Sequence, residues 1–183
     1  MPESSPFHGI FSKRQISATM KSDEITYREM KMDEMPLLND FLYEAIFIPQ
    51  GMTPPPRSII LIDELQIYIK DFGAYPDDRC LVAETGGRVV GAVWTRMMKD
   101  YGHIADNIPS LAISLYKEYR GNGIGTELLS RMLQRLRRDG YAKVSLSVQK
   151  ENYATDMYLK AGFQVWEETP EEYIMVCDLI TIN

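Results

Sequence analysis

Hydrophobic and polar residues alternate along some stretches of the chain and follow a helical period along others. The alternation from Ile25 to Met30 predicts a first strand, because successive side chains of a strand point to opposite faces. Asp33 can cap a following amphipathic helix. The apolar positions that give this helix its stripe are Leu37, Leu38, Phe41, Leu42, Ala45 and Ile46. Ser58 can cap a second helix, whose apolar side holds Leu61, Leu65, Tyr68 and Ile69.

A hairpin follows these two helices. The apolar runs 80–84 and 89–95 flank Gly86-Gly87, a dipeptide that accepts the positive φ angles of a two-residue turn.

The segment between the two helices, 49–56, is rich in proline and cannot lie inside a helix. We therefore interpret this segment as a stiff loop.

The second half of the chain predicts two strand–helix alternations followed by two strands. The expected elements are a strand over Ser110 to Leu115, a helix from Thr126 to Asp139 stopped by Gly140, a strand over Lys143 to Val148, a helix from Asn152 to Ala161 and strands over Phe163 to Glu168 and Glu172 to Leu179. This order predicts a mixed α/β domain. We expect one domain over residues 23–183 after a loose Ser-rich tail at 1–22, in which Met20 is a second candidate start.

Composition limits the partners of this domain. The net charge of −6 argues against nucleic acid and is compatible with a cationic substrate. No apolar run approaches the roughly 20 residues of a membrane span, so we expect no membrane partner. The two cysteines, Cys80 and Cys177, lie far apart inside strand-like runs and favour a reducing, cytoplasmic location. They predict neither a disulfide framework nor a metal site.

Three evenly spaced glycines between a strand and a helix are the strongest functional signal. Amide N–H groups at a helix N-terminus attract anions, so residues 119–126 are a candidate cradle for a phosphate or pyrophosphate. The alternative is a tight strand-to-helix connection without a ligand. Nucleotide binding is disfavoured, because Gly125-Thr126 lacks the lysine of a phosphate loop and the glycine spacing differs from the dinucleotide fingerprint.

Two motifs in this half of the chain resemble the GNAT superfamily of N-acetyltransferases. Residues Arg120 to Gly125 fit the family signature Arg/Gln-x-x-Gly-x-Gly/Ala at every fixed position. Residues Asn152 to Phe163 fit the second motif, an Asn, an Ala four residues before a Tyr, and a Gly-Phe pair. The resemblance implies a central mixed, mostly antiparallel sheet flanked by helices. It also implies acetyl-CoA as cofactor and transfer of its acetyl group to a primary amine.

The resemblance also assigns cofactor contacts to particular positions of this chain. It implies that the strand edge contacts the pantetheine arm through Ile113, Ser114 and Leu115, and that Asn152 contacts the same arm. It implies that backbone amides of the loop hold the pyrophosphate; the loop residues are Arg120, Gly121, Asn122, Gly123, Ile124, Gly125 and Thr126. It further implies that the strand that ends at Leu115 and the next strand, Val144 to Val148, splay apart to admit the thioester. An N–H near Leu115 would then polarise the acetyl carbonyl.

Tyr158 is the predicted catalytic residue. A phenol is protonated at neutral pH and can supply the proton that a leaving thiolate needs. The alternative is that Tyr158 only packs between helix and sheet. Candidate bases for the amine are Glu84, His103, Asp106 or a chain of water molecules. No metal and no covalent enzyme intermediate are expected.

The acceptor and the assembly stay open at this point. Polyamines, amino acids, antibiotics and protein amino groups are all compatible with the motifs. A homodimer through the C-terminal strands follows from the resemblance. The rival function is an acyl-CoA sensor or a partner-binding module without turnover, since one fold hosts many functions.

Three other features allow two interpretations each. The proline-rich segment 47–58 is either a rigid surface connection or a wall for the acceptor. Arg96 lies on a hairpin strand, and the sequence leaves open whether its side chain reaches the acceptor pocket. Trp94 on the same strand is expected in the core. Basic residues late in the long helix could reach a cofactor phosphate, but a water-facing role is favoured; they are Arg131, Arg135, Arg137 and Arg138.

Overall fold

A seven-stranded mixed sheet forms the centre of the protein. The computed structural model describes residues 24–180, so the predicted tail lies outside the described residues. The strands are Thr26–Glu29 (β1), Arg79–Thr85 (β2), Arg88–Arg96 (β3), Ser110–Leu115 (β4), Lys143–Gln149 (β5), Gln164–Glu168 (β6) and Glu172–Asp178 (β7). Their spatial order is β1-β2-β3-β4-β5-β7-β6. Among the strands of residues 24–180, only β4 and β5 pair in parallel, so the predicted mixed, mostly antiparallel sheet is confirmed.

Four α-helices and three short 3-10 segments accompany this sheet within the described range. The helices are Leu38–Ala45 (α1), Asp63–Gln66 (α2), Ile124–Arg138 (α3) and Ala154–Lys160 (α4). The 3-10 segments are Met32–Leu37, Arg57–Leu61 and Lys117–Tyr119. No helix within residues 24–180 has the length and apolar character needed to span a membrane.

The first predicted helix begins later and differently than expected. A 3-10 segment with Pro36 inside it precedes α1, because proline lacks the N–H that a regular helix needs at an interior position. Asp33 does not act as the cap. Instead, the Glu34 carboxylate accepts a hydrogen bond of 2.8 Å from the N–H of Lys31.

The second predicted helix is wrong over most of its length. Ile62 is extended, with ψ of 148°, so the 3-10 segment before it and the four-residue α2 after it do not join. Leu61 is consequently 68% exposed and Ile60 takes the buried position instead. Turns rather than a helix carry the chain from α2 towards β2.

Two hydrophobic layers cover the two faces of the sheet. On one face, α3 buries the predicted stripe of Leu128, Leu129, Met132, Leu133 and Leu136. On the other face, α1 packs Leu38, Phe41 and Leu42 against a cluster that includes Trp94. The expectation that Trp94 lies in the core is therefore confirmed, with none of its surface exposed.

Strands β4 and β5 touch at one end only. Ser110 and Ser145 are their one paired position, and the N–H of Ser145 also donates to the carbonyl of Pro109 at 3.0 Å. Beyond this point the two strands diverge, as the family resemblance implies. The sheet therefore contains a gap between the C-terminal ends of β4 and β5.

Arg28 links β1, the first 3-10 segment and β2. Its guanidinium donates to the Glu34 carboxylate at 2.6 and 2.7 Å and to Glu84 at 2.9 Å. The hydrogen bonds from Arg28 lower the pKa of Glu34 to about 2 from its ordinary 4.5. Since this pKa is lower in the folded chain, the stabilisation exists above pH 4.5 and is lost as the pH falls towards 2.

We therefore expect Glu34→Gln to flatten the acid dependence of the unfolding free energy between pH 4.5 and 2. Urea unfolding at a series of pH values measures this slope. Glu118→Gln is the matched control, because Glu118 pairs with Arg88 at 3.6 Å on the exposed surface. An unchanged slope in Glu34→Gln would show that the Arg28 contact does not govern acid stability.

Candidate functional site

The gap between β4 and β5 opens into a large cavity of about 740 Å³. Its walls come from the C-terminal end of α1, from β4, from the glycine loop with the first turn of α3, from the end of β5 and from α4. The cavity therefore runs through the sheet at the seam where β4 and β5 part, and elements far apart in sequence meet there.

The glycine loop forms an open backbone cradle at one side of this cavity. Gly121 and Gly123 have φ angles of +76° and +81°, in the left-handed region that favours glycine. A Cβ atom at either position would meet no atom within 4 Å, so the space beside the loop is open. The N–H groups in the first turn of α3 have no partner inside the helix, and the helix dipole is positive there. This geometry suits an anion.

Most of the residues expected to contact the cofactor line the cavity, but two do not. The lining set is Ile113, Ser114, Leu115, Arg120, Gly121, Gly123, Gly125, Thr126 and Asn152. Ile124 is instead buried in the core, and the Asn122 side chain turns back to donate to the Arg120 carbonyl at 3.1 Å. The N–H of Arg120 donates to the Lys117 carbonyl at 3.2 Å, so the cradle effectively begins at Gly121.

The Arg120 side chain has a structural task that the sequence did not reveal. Its guanidinium donates to the Leu115 carbonyl at 2.9 Å, to the Glu44 carbonyl at 3.0 Å and to the Glu44 carboxylate at 2.8 Å. It thus ties the end of β4 to the C-terminal end of α1. Because Glu44 balances its charge, we assign Arg120 to shaping the cavity rather than to holding a phosphate with its side chain.

Two other expected cofactor contacts also hold secondary structure in place. The Ser114 hydroxyl donates to the Phe41 carbonyl at 2.6 Å and so docks α1 on β4. The Asn152 side-chain oxygen accepts from the N–H of Ala154 at 2.9 Å, at the start of α4. Gly125 permits a close approach, since a Cβ there would lie 3.2 Å from Leu115.

Tyr158 lies on α4 with its side chain at the cavity wall. It is only 8% exposed, and its ring packs edge-on against Phe163 with 5.7 Å between ring centroids. Burial raises the pKa of Tyr158 above its ordinary value of 10.0, so the phenol keeps its proton at neutral pH. Both interpretations of Tyr158 are thus compatible with the structure, because the residue packs in the core and also faces the cavity.

The candidate bases do not line this cavity. Glu84 is bound to Arg28 and lies on β2, which β3 and β4 separate from β5. His103 and Asp106 line a separate small hollow, where the His103 Nε2 atom is 3.3 Å from Asp106. A water chain is the one predicted route for the proton that the geometry leaves open.

The structure also gives the positions of Arg96, of the basic residues on α3 and of the proline-rich segment. Arg96 is buried against Asp78, away from the cavity lining, and does not reach an acceptor pocket. Arg131 pairs with Glu127 at 2.7 Å and Arg135 with Asp139 at 3.0 Å, which agrees with a surface role. Part of the proline-rich segment does line the cavity, through Phe47, Ile48 and Pro54.

The lining residues that the sequence analysis did not assign to the site include Tyr68, Tyr101 and Glu172. The Tyr68 hydroxyl donates to Asp100 at 2.9 Å, and Asp100 also accepts from Ser110 at 2.6 Å. Glu172 accepts from Gln149 at 3.1 Å. No local motif marks these residues, because turns and the register between β5 and β7 bring them to the site.

Comparisons with known proteins agree with this geometry. A sequence profile described as the Acetyltransferase (GNAT) family matches residues 45–163, which include the glycine loop and Tyr158. Mouse N-acetyltransferase 8 is 34% identical over 101 residues, 55% of this chain and 42% of the mouse protein. The chain thus matches less than half the length of that curated relative.

Solved structures show the same fold. The crystal structure of a GNAT-family acetyltransferase from Streptococcus pneumoniae has a TM-score of 0.63 and 23% identity, covering 84% of this chain and 98% of that one. The structure of yncA from Salmonella typhimurium with its cofactor acetyl-CoA has a TM-score of 0.64 and 17% identity, covering 87% and 96%. With the profile match over most of its length, the chain belongs to the GNAT family of acetyltransferases.

Proposed function

We propose that this protein transfers an acetyl group from acetyl-CoA to a primary amine by direct nucleophilic attack. The observation that supports this most strongly is the gap between β4 and β5. An anion cradle opens on it from the glycine loop, and a protonated phenol faces it from α4. A cavity that passes through the sheet can accept a cofactor from one side and an acceptor from the other.

The residues present fit the cofactor that the family uses. Gly121 and Gly123 leave open space beside backbone N–H groups, which suits a pyrophosphate. The edge of β4 from Ile113 to Leu115 is not paired with β5, so its backbone groups can bond an extended amide-containing arm. Lys117 adds a positive charge at the same side of the cavity. An acidic protein can therefore hold a polyanion mainly through its backbone.

When bound, acetyl-CoA supplies an activated acetyl thioester. Backbone N–H groups at the free edge of β4 would polarise a carbonyl placed in the gap. Tyr158 would hold a proton on its hydroxyl oxygen and deliver it to a sulfur that becomes anionic. The walls contributed by α1 and α4 would orient the acceptor and limit water in the gap. Water would carry the proton away from the amine.

The experiment that tests this function is a thiol-release assay with a panel of amines, run on the wild type and on Tyr158→Phe. We expect release from the wild type and a turnover lower by roughly tenfold or more in the variant, about 1.4 kcal/mol of barrier. Cofactor affinity, measured by calorimetry, should be unchanged. Tyr173→Phe is the control, because Tyr173 packs against the same core but does not line the cavity.

Two outcomes would contradict the proposal in different ways. Equal turnover in Tyr158→Phe and wild type would remove Tyr158 from the mechanism and leave the transferase intact. Heat from acetyl-CoA without thiol release from any amine would replace the enzyme with an acyl-CoA sensor.

We also propose a single domain over residues 23–183 in a reducing, cytoplasmic setting. Hydrophobic layers on both faces of one sheet support the domain, and the two free, buried cysteines support the setting. Burial raises the pKa of both thiols, which makes them poor nucleophiles. The homodimer through the C-terminal strands stays a prediction, for which β6 offers an edge strand of the sheet.

A further inference from the structure

Glu172 is a carboxylate on the cavity wall whose charge is not balanced by a nearby basic side chain. It is half-buried at the start of β7, and its hydrogen-bond donor is the neutral side chain of Gln149. Within residues 24–180, no lysine, arginine or histidine forms an ion pair with Glu172. Lys150, next to Gln149 in sequence, pairs with Glu168 at 2.6 Å instead.

The other carboxylate on the cavity wall behaves differently. Glu44 also lines the cavity, but Arg120 neutralises it at 2.8 Å. A half-buried carboxylate without a cation is costly unless a ligand or water solvates it. Glu172 is therefore the lining carboxylate that remains available for a positively charged ligand.

The groups around Glu172 also favour a bound cation. Burial is the largest cause of the raised pKa of Tyr68. The negative charge of Asp100 raises this pKa further, and the charge of Glu172 raises it by a smaller amount. Tyr68, Asp100 and Glu172 therefore act on the same part of the cavity. Tyr68 and Tyr101 also line it, and aromatic faces attract cations.

Asp100 and Arg120 lie at opposite ends of β4, although Asp100 does not itself line the cavity. Asp100 is held by Ser110, the first residue of this strand, whereas Arg120 binds Leu115, its last residue. Five steps along a strand span roughly 16 Å. The glycine cradle and Lys117 follow the last residue of β4, so they lie at the opposite end of the strand from Asp100. Glu172 pairs with Gln149 at the C-terminal end of β5, so the gap between β4 and β5, rather than the length of β4, separates it from the cradle.

We infer that Glu172 binds a positive charge on the acceptor that is separate from the nitrogen that reacts. The reacting nitrogen must be neutral when it attacks. A carboxylate that binds a cation therefore binds a second, charged group of the acceptor rather than the reacting nitrogen. This inference rests on the proposed function and narrows its acceptor to an amine with a further cationic group. An alkyl diamine is the simplest member of that class.

The test compares 1,4-diaminobutane with n-butylamine as acceptors in the thiol-release assay. We expect the wild type to prefer the diamine in kcat/KM by roughly tenfold to a hundredfold, as for a hydrogen bond to a charged group. Glu172→Gln should abolish this preference by raising the KM for the diamine, with kcat at saturation unchanged. Glu171→Gln removes the same charge from an exposed neighbour outside the cavity lining and should keep the preference.

Two results would overturn this inference while leaving the transferase in place. One is an equal kcat/KM for the two amines in the wild type. The other is an equal loss of kcat for both amines in Glu172→Gln, which would make Glu172 a group that acts on the reacting nitrogen.

A binding measurement separates this inference from the proposed function. Calorimetry of 1,4-diaminobutane with the CoA-saturated protein should give heat that Glu172→Gln removes and Glu171→Gln keeps. That result without thiol release from any amine would support the cation site and contradict the transferase. Absence of this heat in the wild type would count against the cation site.

Discussion

Calorimetry should find acetyl-CoA bound roughly a hundredfold more weakly when Gly123 is replaced by valine. Gly123 immediately precedes α3 and has a φ angle of +81°, a conformation that a β-branched residue rarely adopts. Valine would change this backbone angle, and the N–H groups of the loop would no longer point to one place. Because hydrogen bonds to charged groups contribute about 1.5 to 3 kcal/mol each, losing one or two accounts for the expected loss.

Gly140→Val is a closely matched control for this effect. Gly140 follows the other end of the same helix and has a φ angle of +85°, and a Cβ atom there would likewise meet no atom within 4 Å. Both variants should lose similar stability in urea, but Gly140→Val should bind the cofactor normally. Equal cofactor affinity in the two variants would mean that the loop does not hold the diphosphate.

Asp78→Asn should lower the free energy of unfolding by roughly 3 kcal/mol or more. Asp78 and Arg96 form a buried ion pair, with side chains only 1% and 6% exposed and two hydrogen bonds of 2.8 and 2.9 Å. The rings of Phe72 and Tyr75 each lie 5.1 Å from the guanidinium. Removing the carboxylate charge would leave Arg96 buried without a counter-ion. Urea unfolding followed by circular dichroism measures this loss.

Asp106→Asn provides the exposed counterpart. Asp106 is 4.0 Å from Lys99, and both side chains are 80% exposed. Such pairs contribute at most about 1 kcal/mol, so this variant should unfold almost like the wild type. A loss in Asp78→Asn no larger than in Asp106→Asn would show that the buried pair is not a major source of stability.

Local signals in the sequence predicted the parts of the fold that depend on local contacts. The stripe of α3, its stop at Gly140 and the hairpin around Gly86-Gly87 are each encoded within about a dozen residues and were confirmed. The segment around Tyr68 was not predictable in this way. The Arg96 guanidinium binds the carbonyls of Ile67, Lys70 and Asp71 at 3.1, 2.7 and 3.3 Å, and these bonds come from a residue more than twenty positions away.

The candidate site also combines residues that belong to local motifs with residues that long-range pairing brings there. The glycine cradle and Tyr158 belong to contiguous motifs that the sequence displays, and both line the cavity. Glu172 reaches the cavity only because β7 pairs with β5 in a register that sets it opposite Gln149. Arg120 was identified by its motif, but its partner Glu44 lies 76 residues earlier in the chain. Long-range pairs of this kind have no periodic signature.

The single paired position between β4 and β5 has a mechanical consequence. Strands β1 to β4 and strands β5 to β7 form two ladders that share only one corner, at Ser110 and Ser145. Helices and side chains, rather than a continuous ladder, must therefore resist any pivoting at that corner. With a lever arm of roughly 16 Å along β4, a tilt of a few degrees shifts the open ends by about an ångström. The width of the opening is thus set by packing on either side of it, and residues remote from the chemistry can tune it.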